Sequence, residues 1–151
     1  MKKLINSPYF PKHIESFRIP GGESFLIMEC CKESLKDFSR NQPDRILSLK
    51  QTSIVMQQAV EALRFMHESG YVHRDIKAIN IMMSKSTPDE ITIKVIDFGL
   101  ARRILNEDGS LREKRSDGKV SFRGTKLYCS LNQLLKRVIS SYLYIEPFFP
   151  I

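Results

Sequence analysis

Two short runs in this sequence have the residue types and spacing for chemistry. His73-Arg74-Asp75-Ile76-Lys77-Ala78-Ile79-Asn80 places a carboxylate, an ammonium and an amide close together, and Asp97-Phe98-Gly99 begins seventeen residues after Asn80. Carboxylate and amide oxygens are hard donors of the kind Mg²⁺ accepts. Transfer at phosphorus needs groups that position and neutralise charge more than groups that form bonds. Each run alone has a plain alternative, a surface loop with a salt bridge or a common turn. Together and in order, with eight letters specified, they make coincidence a poor explanation.

The elements that must hold these runs are legible around them. Residues 15–18, the turn Ile19-Pro20-Gly21-Gly22 and residues 24–29 spell strand, turn, strand, with Phe25-Leu26-Ile27-Met28 expected as a short buried run. A brief helix is expected at residues 34–40. Between residues 49 and 69, Val55, Met56, Ala59, Val60, Leu63 and Met66 recur at three- and four-residue spacing and define one apolar helical face. Ser48-x-x-Gln51 is a capping box, and Gly70 suits the left-handed position past the last turn. Short strands are expected at Tyr71-Val72, residues 79–83 and residues 91–96, the last preceded by a Pro88-Asp89 turn. Residues 100–126 are expected to form a long polar connection, of the kind that is functional or disordered in a compact domain. No internal repeat is present.

The two runs, in this order of strand, hinge, helix, loop, strand and triplet, resemble the catalytic loop and metal-binding triplet of protein kinases. The resemblance implies an α+β, partial protein kinase-like fold, namely the hinge strands plus the first part of the mostly helical C-terminal lobe. It implies ATP and Mg²⁺ as cofactors and a protein Ser or Thr hydroxyl as acceptor. Asp75 would accept the hydroxyl proton, Lys77 would neutralise the transferring group, and Asn80 and Asp97 would ligate the metal. Phe98 and Gly99 would form a packed plug and a hinge, and His73 would be a structural packing residue.

A narrower likeness follows from two further motifs. Phe122-Arg123-Gly124-Thr125-x-x-Tyr128-x-Ser130-x-Asn132 is similar to the substrate-binding end of the activation segment in the casein kinase 1 group, especially its tau-tubulin kinase-like branch, and Met28-Glu29-Cys30-Cys31-x-x-Ser34-Leu35-x-Asp37 is similar to that group's hinge. By this resemblance Met28 stands beside the adenine, the Glu29 carbonyl and the Cys31 amide pair with the base, and Asp37 approaches the ribose. Met82 and Ile96 line the pocket floor, for which simple core packing is the alternative. Arg123, Gly124 and Thr125 bind substrate, with Thr125 contacting Asp75 and Lys77. A reactive Cys31 would need a neighbouring cation, and only Lys32 is evident, so an inert thiol is expected.

Where the sequence departs from the family, it lacks a G-x-G-x-x-G spacing and a Val-Ala-x-Lys run, and the match ends at Asn132. The expected organisation is residues 1–14 as an extension, 15–132 as a partial kinase domain and 133–151 as an apolar tail. Low activity of the chain alone and an uncovered apolar helix face are expected. The alternative is a catalytically inactive fragment or pseudokinase-like binding module.

Composition sets the outer bounds. At 151 residues, 42% hydrophobic and 27% charged, the chain is ordinary for one globular domain, which excludes collagen-like, low-complexity and wholly disordered classes. Lys and Arg number 24 against 17 Asp and Glu, a net charge of +7, of which +4 falls within residues 100–126. An acidic or phosphorylated protein substrate is therefore expected; solvated charge is the alternative, and nucleic acid is not an expected partner because aromatics are sparse there. Cys30, Cys31 and Cys129 form an odd set without metal spacing, which suits a reduced, intracellular setting in the cytoplasm or nucleus. Neither a secretory signal nor a membrane span is expected, since Asn6 and Pro8 interrupt the start and charges and prolines interrupt residues 134–151.

Overall fold

Strand β1 (His13–Arg18) turns through Gly21, at φ +71°, into β2 (Ser24–Met28), and the two pair antiparallel with Phe17 opposite Phe25. These rings stack at 5.2 Å. The computed structural model describes residues 7–87, 90–112 and 122–130. They divide into two units, the residues up to Ala62 with Ala78–Ile96, and Leu63–Lys77 with those from Asp97 onward. The Pro88-Asp89 turn and the apolar tail lie outside the described residues, as does the middle of the basic stretch.

In the first unit, β3 (Glu33–Ser34), β5 (Ile81–Ser86) and β6 (Ile91–Val95) form an antiparallel sheet in the order β3-β5-β6. Ile81 lies opposite Val95 and Met83 opposite Ile93, and all four are buried, so period-two alternation sends one face of this sheet into the core. Helix α1 (Leu35–Arg40) starts on Ser34, whose hydroxyl accepts from the Asp37 amide at 3.1 Å. The expected strand over residues 79–83 starts later, because Ala78–Asn80 is a 3₁₀ turn.

Helix α2 (Leu49–Glu68) begins as its capping box requires: the Ser48 amide donates to Gln51 Oε1 at 2.8 Å and the Gln51 amide to Ser48 Oγ at 3.2 Å. Its residues to Ala62 belong to the first unit and those from Leu63 to the second. Val55, Ala59, Ala62 and Met66 are its buried stripe, whereas Met56, expected on that face, is exposed. The stripe runs through Ala62 instead, one position from the expected Leu63.

Within the first unit, Gln58 stands in for a missing strand. Its side-chain amide donates to the Ile91 carbonyl at 2.8 Å and accepts from the Ile93 amide at 3.0 Å, and the Val95 amide donates to the Tyr9 carbonyl at 2.8 Å. The outer edge of β6 is thereby covered without a further strand.

The run Phe25-Leu26-Ile27-Met28 is not buried: all four residues are exposed, Leu26 by 58%. A two-stranded ribbon has two faces, and among the described residues no second layer covers either of them.

The second unit carries β4 (Tyr71–Val72) and β7 (Arg102–Arg103), paired antiparallel. Gly70 is left-handed at φ +82°, and its carbonyl accepts from the Ile104 amide at 2.8 Å. Leu105 and Leu111 are bridged across a turn in which Asp108 accepts from both the amide and the hydroxyl of Ser110. The expected polar connection after residue 100 is thus partly ordered by backbone pairing, and Ile104 is buried. Among the described residues, no helix is long and apolar enough to cross a membrane.

Candidate active site

Strand β4 delivers the chain from Gly70 into the loop that carries Asp75. Arg74 is left-handed there, at φ +70°, and its Nε donates to the Leu100 carbonyl at 2.6 Å. His73 is buried, accepts from the Asp75 amide at Nδ1 over 3.3 Å, and packs its ring 5.6 Å from that of Phe98. An accepting Nδ1 places the neutral ring's proton on Nε2. His73 thus holds the loop backbone and the Phe98 ring.

Asp75 is buried but not unpartnered. Its Oδ2 accepts from Lys77 Nζ at 2.7 Å and its Oδ1 from the Thr125 hydroxyl at 2.7 Å, while that hydroxyl accepts from Lys77 Nζ at 3.0 Å. The three side chains close a triangle. The Lys77 ammonium, and after it the Thr125 hydroxyl, hold the Asp75 carboxyl below its ordinary range against the opposing effect of burial.

Gly124 makes this triangle possible. It sits at φ +100°, and a Cβ there would run into the carbonyl oxygen of Arg74. Only glycine tolerates both the backbone conformation and the close approach. The structure therefore brings Asp75, Lys77, Gly124 and Thr125 together; Arg123 is exposed at their edge.

Asp97 is exposed and left-handed, at φ +63°, and its Oδ1 accepts from the Gly99 amide at 3.2 Å, opening a 3₁₀ turn over Phe98–Leu100. That bond orients the carboxylate and leaves Oδ2 without a protein donor among the described residues.

The remaining sequence-expected residues belong to the first unit. Asn80 is buried, and its carbonyl accepts from the Ile96 amide at 2.9 Å, which joins these two positions. Met82 lies opposite Ser34, the residue that caps α1, and Ser34 Oγ also donates to Asp37 Oδ2 at 2.5 Å. Asp37 is thus oriented on the first turn of a short helix, with Arg40 Nη1 at 3.5 Å from its Oδ1. Met28 ends β2, and Glu29 follows with its amide on the Lys12 carbonyl at 2.8 Å. Burial, and next to it the Glu29 carboxylate, push the Cys31 thiol up, which favours the protonated and unreactive form expected for it.

Sequence reasoning quoted Ser34 in the hinge motif but gave it no role, although Ser34-x-x-Asp37 is itself a cap signal. It missed Arg74 as a backbone brace, for which no local signal exists, because its partner lies 26 residues away.

Residues 1–141 match the family described as "Protein kinase domain". The chain belongs to the protein kinase family. A probable serine/threonine-protein kinase of Dictyostelium discoideum is 34% identical to it over 137 residues, which is 91% of this chain and 27% of that protein. A Caenorhabditis elegans protein named as a serine/threonine-protein kinase is 45% identical over 133 residues, 87% of this chain and 38% of its relative. Another protein of that organism, named as a casein kinase I, is 32% identical over 108 residues, 72% of this chain and 31% of the relative. The chain therefore spans between 27% and 38% of the length of these relatives. The mixed strands and helices agree with an α+β, kinase-like portion of that fold.

Proposed function

We propose that this chain carries the hinge, catalytic loop and activation-segment portion of a serine/threonine protein kinase of the casein kinase 1 group, which transfers the γ-phosphoryl group of ATP to protein hydroxyls. The observation that carries this proposal is the Asp75–Lys77–Thr125 triangle: a carboxylate kept ionised, an ammonium beside it, and a hydroxyl that links the activation segment to both.

ATP and Mg²⁺ fit the residues present. Asp97 offers an oriented carboxylate with Oδ2 available, and the family resemblance assigns Asn80 as a second ligand; Mg²⁺ takes few protein ligands of this hard type and completes its shell with phosphate and water. When bound, the nucleotide supplies the phosphoryl group and the metal neutralises its oxygens. Asp75 accepts a hydrogen bond from the incoming Ser or Thr hydroxyl and takes its proton as the oxygen–phosphorus bond forms and the bond to the departing diphosphate breaks. Lys77 would neutralise the transferring phosphoryl group. Thr125 keeps Asp75 and Lys77 in register, so a substrate laid along residues 123–125 presents its hydroxyl to them. At the hinge, the Glu29 carbonyl and Cys31 amide are the groups assigned to adenine, with Met28 beside it, Asp37 toward the ribose, and Met82 and Ile96 beneath. The basic residues after 100 favour acidic or phosphorylated protein substrates.

The test is Mg²⁺-dependent transfer from labelled ATP to a serine peptide. Asp75→Asn should lower the rate by roughly 10² or more while leaving nucleotide binding intact. Wild-type chain that is folded and binds ATP yet transfers nothing would remove the catalytic assignment and leave the binding module.

A further inference from the structure

On β6, alternation buries Ile93 and Val95 and turns Lys94 to the other face, directly opposite Met82 of β5. Lys94 does not run out to water. Its side chain is only 12% exposed, and Nζ donates to Glu29 Oε2 at 2.9 Å and to the Phe10 carbonyl at 3.3 Å. The same Glu29 oxygen accepts from the Lys12 amide at 3.0 Å, and the Glu29 amide donates to the Lys12 carbonyl at 2.8 Å. One lysine thus ties three segments of the first unit: the chain at residues 10–12, the residue that follows β2, and the β5–β6 sheet.

A lysine this withdrawn from solvent, bonded to a carboxylate and a carbonyl, is a costly surface decoration and an effective strut. Its location determines what it braces. Glu29 is the residue whose backbone carbonyl is assigned to adenine, and Met82, the cross-strand neighbour of Lys94, is assigned to the pocket floor. We propose that Lys94 is a positioning residue of the nucleotide site: acting through the Glu29 carboxylate, it holds the hinge backbone over the β5–β6 floor so that the adenine-recognising edge is formed before nucleotide arrives. This rests on the kinase function proposed above.

A strut that acts on the hinge affects the base and not the phosphates, and this distinction makes it testable. Affinities for adenosine and for Mg²⁺-ATP are measured by calorimetry on the full chain, below the melting transition of every variant. Lys94→Met should weaken both ligands by the same factor, about tenfold. Lys94→Arg should restore most of the loss, Glu29→Gln should weaken both ligands as well, and the double variant should lose no more than the worse single one. If Lys94→Met fails to fold, Glu29→Gln, which retains an acceptor for the Lys12 amide, carries the same test. Adenosine affinity unchanged in either variant would overturn the proposal, as would a loss confined to Mg²⁺-ATP, which would make Lys94 a phosphate contact. Unchanged affinity beside a wild type that binds removes Lys94 alone. A folded wild type that binds neither ligand removes Lys94 together with the nucleotide site itself.

Discussion

Thr125 donates to one oxygen of Asp75 and accepts from Lys77, so loss of its hydroxyl acts on two charged groups at once. Thr125→Val should lower kcat by roughly 10-fold or more and leave the affinity for nucleotide nearly unchanged. Serine at this position should retain most of the rate. The pH dependence has a defined sign. Because the Asp75 carboxyl is held below its ordinary range, its contribution to stability is present above the unfolded-state pKa and disappears as pH falls through the lower folded value. The acid limb of transfer should likewise lie below the usual carboxylate range. Thr125→Val should move that limb upward, because a bond that favours the ionised form is gone; an unmoved limb would show that Thr125 does not act on Asp75. Gly124→Ala should be worse than any change to Thr125, since the methyl group strikes the Arg74 carbonyl and displaces the segment bearing the hydroxyl. Kinetics of the three variants side by side give the order.

At the scale of elements, two features of α2 contribute differently to stability. The capping box is local, and Ser48→Ala should cost about 1 kcal/mol in urea denaturation. Gln58 reaches across to β6, and Gln58→Leu leaves the Ile91 carbonyl and the Ile93 amide without their partner. Each unmet group costs roughly 1–3 kcal/mol, so this variant should be destabilised more than Ser48→Ala although both positions lie on one helix. The reverse order would mean that the edge of β6 is satisfied by water. Gly70→Ala should also destabilise, by about 1–2 kcal/mol from backbone strain alone, with Leu105 side-chain atoms already 3.1 Å from where the new carbon would sit.

For the molecule as a whole, the excess of positive charge is the property that acts beyond contact distance. With a net charge of +7, more than half of it from residues 100–126, the acidic substrate proposed above would be drawn in by a field that salt screens. Between about 0.05 and 0.3 M salt, where the Debye length passes through about 10 Å at 0.1 M, kcat/KM for an acidic peptide should fall several-fold. A peptide with its acids replaced by amides should show little dependence. Equal slopes for the two peptides would reduce the basic stretch to solvated charge.

Much of the local structure could be written down from the order of residues. Ser48, Gln51 and Gly70 bound α2 because capping is settled within one turn of chain, and the Asp75, Lys77, Asn80 and Asp97 set stood out because its two short runs stand in the order and spacing of a known family. What could not be read was the choice of distant partners. Gln58 edging β6, Lys94 on Glu29 and Arg103 opposite Tyr71 join residues between 32 and 65 positions apart, and nothing in either local stretch names the other. The exposure of residues 25–28 was misjudged for the same reason: an apolar run states a preference for burial, and whether a second layer arrives to satisfy it is a property of the assembled chain. The resemblance carried by two short runs thus pointed to the family chemistry, and local capping signals to the ends of the helix, because both are written within a few residues of chain. The Thr125 contact with Asp75 was implied by the family resemblance alone; its geometry, and the Gly124 backbone that lets it form, were decided by folding, because two segments fifty residues apart must meet within hydrogen-bond reach.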